Sequence, residues 1–410
     1  MAPLAMFFTL LLATTTILNP RHRPSHNHNN NNHLLSLTLS LLSLITLTLA
    51  DCECGYLSTT GDLVSHQQPN DNLPSHQPHH ALFTDLVESD FTRLVPEGEG
   101  DRTISANTDW VRQAFNLSHE RARGQHGEMF AVENVDAAGQ GEDDKGLKLI
   151  VRGGGELVEN MVPVAEIDTK RLDMYFGTFR ASMKITGERG TCAAFFWYFN
   201  DTQEIDMEFL SKDFDKANKS YPVNLVLQSR EAALSGYNAA KTSNFVKAYL
   251  PFDPTEDFHE YRIDYLPGRV FFYADGMVLG KMDGPAVPSS AGHLILQHWS
   301  NGNRLWSGGP PERDAGLVVR YVKAYFNSSR EERRRDWEGR CKDPKARGSV
   351  CLVPDVLPHN GTAGLLNIYT NSTTLGVDQL VFEEGLNGSY YQYITDPLFT
   401  NFQPSHILSR

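Results

Sequence analysis

Cysteine is scarce: five residues in 410, at Cys52, Cys54, Cys192, Cys341 and Cys351, too few to staple a fold of this length. No C-x-x-C pair and no Cys/His spacing of the zinc type occurs, so neither a structural metal nor a cofactor is expected. Basic residues are also in deficit, 37 Lys+Arg against 50 Asp+Glu, for a formal net charge of -13. That balance repels a phosphate backbone unless a basic stripe stands apart. The dense basic run EERRRDWEGR at 331–340 is mixed in sign, and nucleic acid is not expected as a partner. Within the few cysteines, Cys341 and Cys351 are the expected local bridge, closing a loop that holds Pro344 and Gly348. Cys192, beside AAFFWYF, is expected as a small buried hydrophobe.

Long apolar runs are confined to the N-terminus. MAPLAMFFTLLLATTTIL opens the chain, a His/Asn-rich spacer follows, and HLLSLTLSLLSLITLTLA runs directly into Asp51. The second stretch is short for a membrane span and ends on the small residue Ala50, as a signal-peptide core does before its cleavage site. Residues 1–50 are read as a hydrophobic signal region, with a membrane anchor as the alternative. Sequons at Asn116, Asn200, Asn218, Asn327, Asn360, Asn371 and Asn387 suit an exported, extracellular glycoprotein that leaves the membrane once the signal is cut. Residues 51–80, rich in His, Pro, Asn and Gln, read as a flexible linker rather than a metal site. An ordered domain over 81–330 and a loop-rich extension over 331–410 complete the division.

From 81 onward helical periodicity is rare and strand signals are frequent. KLIVRG, GTFRASMKI, CAAFFWYF, QEIDMEFL, VNLVLQ, HEYRIDYL, RVFFYADG, HLILQHW and LVVRYVKAYF are short, aromatic and β-branched, and separated by turn residues. With no crossover helices between them, they point to an all-β sandwich of about 250 residues rather than a parallel α/β sheet.

The stretch TQEIDMEFLS, 202–211, carries acids at every second position. On a strand, Glu204, Asp206 and Glu208 share one face while Ile205, Met207 and Phe209 share the other. AEIDTK at 165–170 supplies a comparison: Glu166 and Asp168 have the same spacing, Lys170 ends the series, and the pair is expected at the surface or in a turn. At 204–208 the series continues, and three like charges on one face repel unless protonated, paired or used. The Cα atoms of Glu204 and Glu208 stand roughly 13 Å apart on a strand. Side chains leaning inward on a curved strand close that gap toward the carboxyl separation of about 5–5.5 Å that a retaining glycosidase needs. Of the aromatics in FFWYF, Trp197 is expected to stack on a sugar. Asn224 and Gln228 share a face opposite Leu225 and Leu227, where they can hydrogen-bond sugar hydroxyls. HWSNGNRLWSGG is expected as a loop at one end of a cleft, with Trp299, Asn301 and Trp306 in it.

EIDMEF resembles the E-x-D-x-E active-site signature of glycoside hydrolase family 16. FGTFRASMKI before it, FHEYRIDYLPGRVFFYADG after it, and HWSNGNRLWSGGPP extend the resemblance over most of 81–326. The resemblance implies a concanavalin-like β-jelly roll of two curved antiparallel sheets and a retaining enzyme acting on β-linked polysaccharide. By motif position Glu204 would be the nucleophile, Asp206 its helper and Glu208 the acid/base. The spacing lacks the extra residue of the β-1,3-glucan branch and is similar to the lichenase-like, xyloglucan-modifying and chitin/glucan transglycosylase branches. A secreted endo-acting β-glucan hydrolase is therefore the expectation. A wall-remodelling transglycosylase, a non-catalytic lectin or an anchored structural wall protein are the alternatives.

Overall fold

The computed structural model describes residues 52–61 and 79–354, apart from 140, 142–143, 156 and 347. Its first strands are β1 (Gly55–Thr60), β2 (His79–Phe83), β3 (Asp85–Asp90), β4 (Trp110–Arg112) and β5 (Phe115–Leu117). After helix α1 (His119–Ala122) come β6 (Gly127–Phe130), β7 (Val135–Ala137), β8 (Leu147–Val151), β9 (Met161–Thr169) and β10 (Met174–Lys184). The middle of the domain is β11 (Cys192–Asn200), β12 (Gln203–Leu210), β13 (Tyr221–Gln228), helix α2 (Arg230–Leu234) and β14 (Phe245–Leu250). It closes with β15 (His259–Leu266), β16 (Arg269–Ala274), β17 (Met277–Asp283), β18 (His293–Trp299), β19 (Ala315–Ser328), α3 (Glu331–Arg340) and β20 (Val350–Leu352). All nine segments read as strands from the sequence lie on strands.

Two large sheets form the sandwich. The inner one runs β14-β13-β12-β11-β18-β9-β6-β5, with β4 on β9; the outer one runs β17-β16-β15-β10-β19-β8-β7, with β3 on β19. Their pairings are antiparallel except for β6 with β9. Alternation does the sorting: Phe195, Trp197, Ile205, Met207, Leu225 and Leu227 of the inner sheet and Phe179, Ile263 and Phe272 of the outer sheet belong to one buried cluster. Each such side chain contributes roughly 1.5–3 kcal/mol by leaving water. The result is the all-β sandwich that the strand pattern implies, of the jelly-roll type that the resemblance implies.

The N-terminal boundary differs from the expectation. Residues 52–61 are described and carry the strand β1, and only 62–78 of the expected linker, like 1–51, lie outside the described residues. β1 pairs with β2 and, in parallel, with β20, placing Tyr56 opposite Cys351. The bridges are accordingly Cys52–Cys351 and Cys54–Cys341, not Cys341–Cys351, with Cα separations of 5.2 and 4.5 Å. The parallel pairing brings both ends of the domain together, which a local reading of cysteine spacing does not register. Cys192 is free and buried, as expected.

This third sheet covers a buried ionic layer on the outer sheet. Arg262 donates to both oxygens of Asp264, at 2.7 and 2.6 Å, and also to the Thr59 carbonyl. Arg180 donates to the Pro354 carbonyl at 2.6 Å and to Ser58 Oγ at 3.2 Å. The start of the C-terminal extension is thus part of the folded domain: Trp337 Nε1 donates to the Cys54 carbonyl at 2.9 Å, and Arg333 grips Asp85. Asn327, one of the sequons, has its Oδ1 occupied by the backbone and hydroxyl of Thr84 at 3.2 and 3.3 Å. Among the described residues no helix is long and apolar enough to cross a membrane.

The two bridges close nearly the same loop, because their sequence separations of 299 and 287 differ by 12 residues. Removing one opens only a short ring, about 3 kcal/mol on the chain-entropy scale, whereas removing both opens the whole loop. Urea unfolding of Cys52→Ser/Cys351→Ser, Cys54→Ser/Cys341→Ser and the quadruple variant is expected to show a combined loss larger than the two separate losses added together.

Candidate active site

The site begins at the β11–β12 hairpin. Asn200 Oδ1 accepts from the Thr202 N–H and hydroxyl, both at 2.9 Å, and Asn200 pairs with Gln203 across the two-residue turn. Asp201 Oδ1 accepts the Tyr198 hydroxyl at 2.8 Å. This turn sets the register, and register places the acids. Glu204 lies between Gln228 and Tyr198, Asp206 between Val226 and Phe196, and Glu208 between Asn224 and Ala194. The β12–β13 register runs unbroken through 204–208, so the strand carries no bulge there.

Ile205, Met207 and Phe209 are fully buried in the core, which turns the three carboxyls to the other face. Asp206 is buried at 4 % exposure, while Glu204 and Glu208 remain half-buried. Loss of water is the main reason all three carboxyls titrate high. For Asp206 the negative neighbours Glu204 and Glu208 add to the effect, and its carboxyl stays protonated well above the usual range. Its proton serves as a hydrogen bond to Glu204, which offsets part of the burial penalty there. Trp306 Nε1 does the same for Glu208, donating to Oε1 at 3.0 Å. Glu204 and Glu208 are both pushed up, to about 7. Two carboxyls that titrate near neutrality allow one to be ionised while the other keeps its proton.

The acid face extends further than the sequence pattern suggests. Glu166 and Asp168 are not surface or turn residues but part of β9, three strands from β12 on the same sheet. Glu166 shares a rung with Gln297, Ala194 and Glu208, and it accepts a hydrogen bond from Gln297 Nε2. Asp168 shares one with Ile295, Phe196 and Asp206, and accepts from Gln113 Nε2 at 2.8 Å. Glu128 of β6, also buried, accepts from Asn301 Nδ2 at 3.0 Å. Burial raises Glu128 and Glu166 to about 8. Lys170 ends the acid series in sequence, but it donates to the Asn107 carbonyl at 3.1 Å and leaves the strand face to the acids.

The other expected contacts divide. Trp197 is not on this face: it lies opposite Ile205 and Leu294, is fully buried, and donates Nε1 to the Met174 carbonyl at 3.1 Å. Its ring lies where a Cβ on residue 292 would sit 2.6 Å from it, so Gly292 makes room for the indole. Asn301 is also withdrawn from substrate. Its Nδ2 serves the Ala122 carbonyl and Glu128, and its Oδ1 accepts from the Asn303 N–H and the Ser307 hydroxyl. Asn224 and Gln228 do flank the acids, and Gln228 Oε1 is buried without a protein partner. Trp299 lies opposite Cys192, on the acid face, packed against the cluster that holds Phe130, Val151, Val162, Val164 and Ala315. Trp306 touches Glu208 directly.

Residues outside the expectation also face the site. Tyr198 and His293 share the rung of Glu204, with their rings 5.8 Å apart. The Cys192 thiol lies 4.0 Å from Glu208 Oε1. Parity along CAAFFWYFN places Cys192, Ala194, Phe196 and Tyr198 with the acids and Trp197 against them, once the hairpin turn is fixed.

Residues 132–319 match the family model described as glycosyl hydrolases family 16. The matched stretch, a little under half of the chain, is similar to this family. Among curated proteins, a β-glucanase of Paenibacillus macerans is 32% identical over 130 residues, covering 30% of this chain and 48% of the relative. One of Paenibacillus polymyxa is 31% identical over 139 residues, covering 32% and 52%. The chain thus spans about half the length of the curated relatives it matches. Solved family 16-like structures include the endo-β-1,3-glucanase of Pyrococcus furiosus, with 17% identity, a TM-score of 0.45 and coverage of 61% of this chain and 96% of that one. A β-1,3-1,4-glucanase from a mouse hindgut metagenome has 18% identity, a TM-score of 0.43 and coverage of 58% and 98%.

Carboxyls raised by burial make this domain less stable as pH climbs. Their folded pKa exceeds the unfolded one, so their contribution is full below the unfolded value and is lost as pH rises through the folded value. For Glu128 that window runs from about 4.5 to about 8. Glu128→Gln keeps an oxygen for Asn301 and removes the charge. Thermal unfolding from pH 5 to 9 is expected to show the variant gaining on the native protein as pH rises, and being the more stable of the two at pH 9.

Proposed function

We propose that this protein is an exported, retaining endo-β-glucanase. The observation that carries the reading is the unbroken acid rung series on β12, with Asp206 protonated between two half-buried carboxyls that titrate near neutrality. In the first step the ionised Glu204 attacks the anomeric carbon and Glu208 gives its proton to the departing glycosidic oxygen. Asp206, hydrogen-bonded to Glu204, holds the nucleophile in place and spreads its charge. In the second step Glu208 takes a proton from water, which releases the sugar from Glu204. Trp306 fixes the orientation of Glu208 in both. Asn224 and Gln228 offer hydrogen bonds to sugar hydroxyls on either side of the cut, and Trp299 offers a ring face.

The β-glucanases of Paenibacillus support a β-glucan as substrate. The unbulged strand agrees with the branches of the resemblance that do not specialise in β-1,3-glucan. Two long-range disulfides support an oxidising compartment, and the exposed sequons Asn116 and Asn218 suit a glycosylated, extracellular chain. A lectin needs neither a protonated Asp206 nor two carboxyls poised near neutrality, which disfavours binding alone. Transfer to a sugar acceptor shares the first step and differs only in what attacks the intermediate.

Incubation with mixed-linkage glucan, laminarin-type glucan, xyloglucan and chitin oligomers separates these outcomes by product length. Shorter products are expected from a β-glucan, and their initial anomer retained. Glu204→Gln is expected to lower turnover by more than about a thousandfold with the fold unchanged in far-UV dichroism. Full activity in that variant would overturn the assignment. Trp306→Phe removes a donor that favours ionised Glu208, so its pKa rises. The alkaline limb of the pH–rate profile should then move to higher pH, with kcat reduced by about tenfold.

A further inference from the structure

We propose that Arg123 and Tyr237, carried by segments at opposite edges of the acid-bearing sheet, form a latch that holds a guanidinium over the carboxyls of β12 and sets their charge state. Arg123 is thereby a positioning residue for the reaction proposed above, on whose reading the role in turnover rests.

The two residues arrive from opposite edges of the inner sheet. Arg123 follows α1, between β5 and β6 at one edge; Tyr237 follows α2, between β13 and β14 at the other. The guanidinium carbon nevertheless lies 4.9 Å from the centre of the Tyr237 ring. A pair that joins these edges bridges the acid face of the sheet, on which β12 lies between them. Each side is mounted firmly. The Arg123 carbonyl accepts from Asn303 Nδ2 at 3.2 Å, and a Cβ on residue 124 would lie 2.2 Å from the Asn301 carbonyl, so Gly124 lets the segment sit tight against that loop. On the far side Ala232, Ala239 and Phe245 pack on Val226, the rung neighbour of Asp206, which seats the Tyr237 segment on the acid face. Arg123 and Tyr237 both take left-handed backbone, φ 58° and 57°, a conformation that side chains other than Asn or Asp seldom adopt.

Stability does not explain the arrangement. Both side chains are exposed, and a cation stacked on a ring in water adds little to folding. The electrostatics do. Arg123 favours the ionised forms of Glu204, Glu208 and Glu128. The groups facing Glu204 are otherwise Asp206 and Glu208 on its own strand, Tyr198 and Asp201 from the hairpin, Gln228 from β13, Glu166 from β9 and, on its rung from β18, the His293 imidazole, whose Nε2 lies 3.7 Å from Asp168 rather than serving Glu204. Glu208 faces Cys192 and Trp306, and the ammonium on its rung, Lys247, is paired with Asp213 at 3.1 Å. A guanidinium keeps its proton at every working pH, so its charge there is permanent. An exposed ring partner lets the latch open when a polymer enters and close behind it.

The test titrates side-chain-labelled glutamate carboxyls by carbon NMR, assigned with Glu204→Gln and Glu208→Gln, and so needs no turnover. In Arg123→Gln both midpoints should move to higher pH. Tyr237→Leu, which leaves the charge but frees it from the groove, should move them in the same direction, while Tyr237→Phe should match the native protein. Raising the salt to 1 M should narrow the gap between native and Arg123→Gln, because the guanidinium is exposed. In activity assays Arg123→Gln should lose rate mainly at pH 5 and recover where Glu204 is ionised in both proteins. Unmoved midpoints in Arg123→Gln overturn the proposal. Midpoints that move there but not in Tyr237→Leu overturn the latch. Native protein without glucanase activity, but with these titration shifts, would overturn the functional reading and leave the latch standing.

Discussion

Three carboxyls are held out of bulk water on β12 because the same strand drives Ile205, Met207 and Phe209 into the core from its other face. The strand cannot slip by one residue without burying charge among apolar side chains and exposing the core set to the groove. Every further feature of the site inherits that constraint. Asp206 stays protonated, its proton goes to Glu204, and Trp306 reaches in from the 300–309 loop to steady Glu208. The sandwich supplies the stability that tolerates this concentration of like charge.

The acid face of the sheet carries a second set of carboxyls: Glu128 and Glu166, buried and bonded to the neutral amides of Asn301 and Gln297, and Asp168, which accepts from Gln113 and has the His293 imidazole 3.7 Å away. Burial with only neutral partners leaves the proton affinity of Glu128 and Glu166 high, so much of this face is uncharged at mildly acidic pH and gains negative charge as pH rises. An uncharged sugar polymer meets hydroxyl-compatible donors and acceptors on such a floor, whereas a carboxylated or sulphated one meets growing repulsion. Proton inventory, rather than fixed charge, is the character of this surface.

The long strands and the three acids of β12 were legible because one face of each strand is apolar and the period of two survives in the sequence. β9 was not, because MVPVAEIDT is buried on nearly every residue and contains Pro163, which erases alternation and mimics a loop. That hid Glu166 and Asp168 as members of the acid face. Trp197 was misplaced for a different reason: an aromatic next to an acid strand suggests stacking, yet hairpin parity puts it opposite Ile205. Asn301 looked available in a glycine-rich loop, but loop carbonyls and Glu128 consume its side chain. The cysteine pairing and the approach of Arg123 to Tyr237 depend on contacts between distant segments, for which no local pattern exists.

The central strand of the outer sheet, β19, is also the last long strand to be made. It pairs with β10, β8 and β3, so until residue 328 has left the ribosome the outer sheet has a gap in its middle and three strands with bare edges. Both disulfides wait still longer, since their partners lie at 341 and 351. Assembly of this domain is therefore tied to completion of the chain rather than to its emergence. Through most of synthesis the nascent chain depends on being kept from pairing with its neighbours.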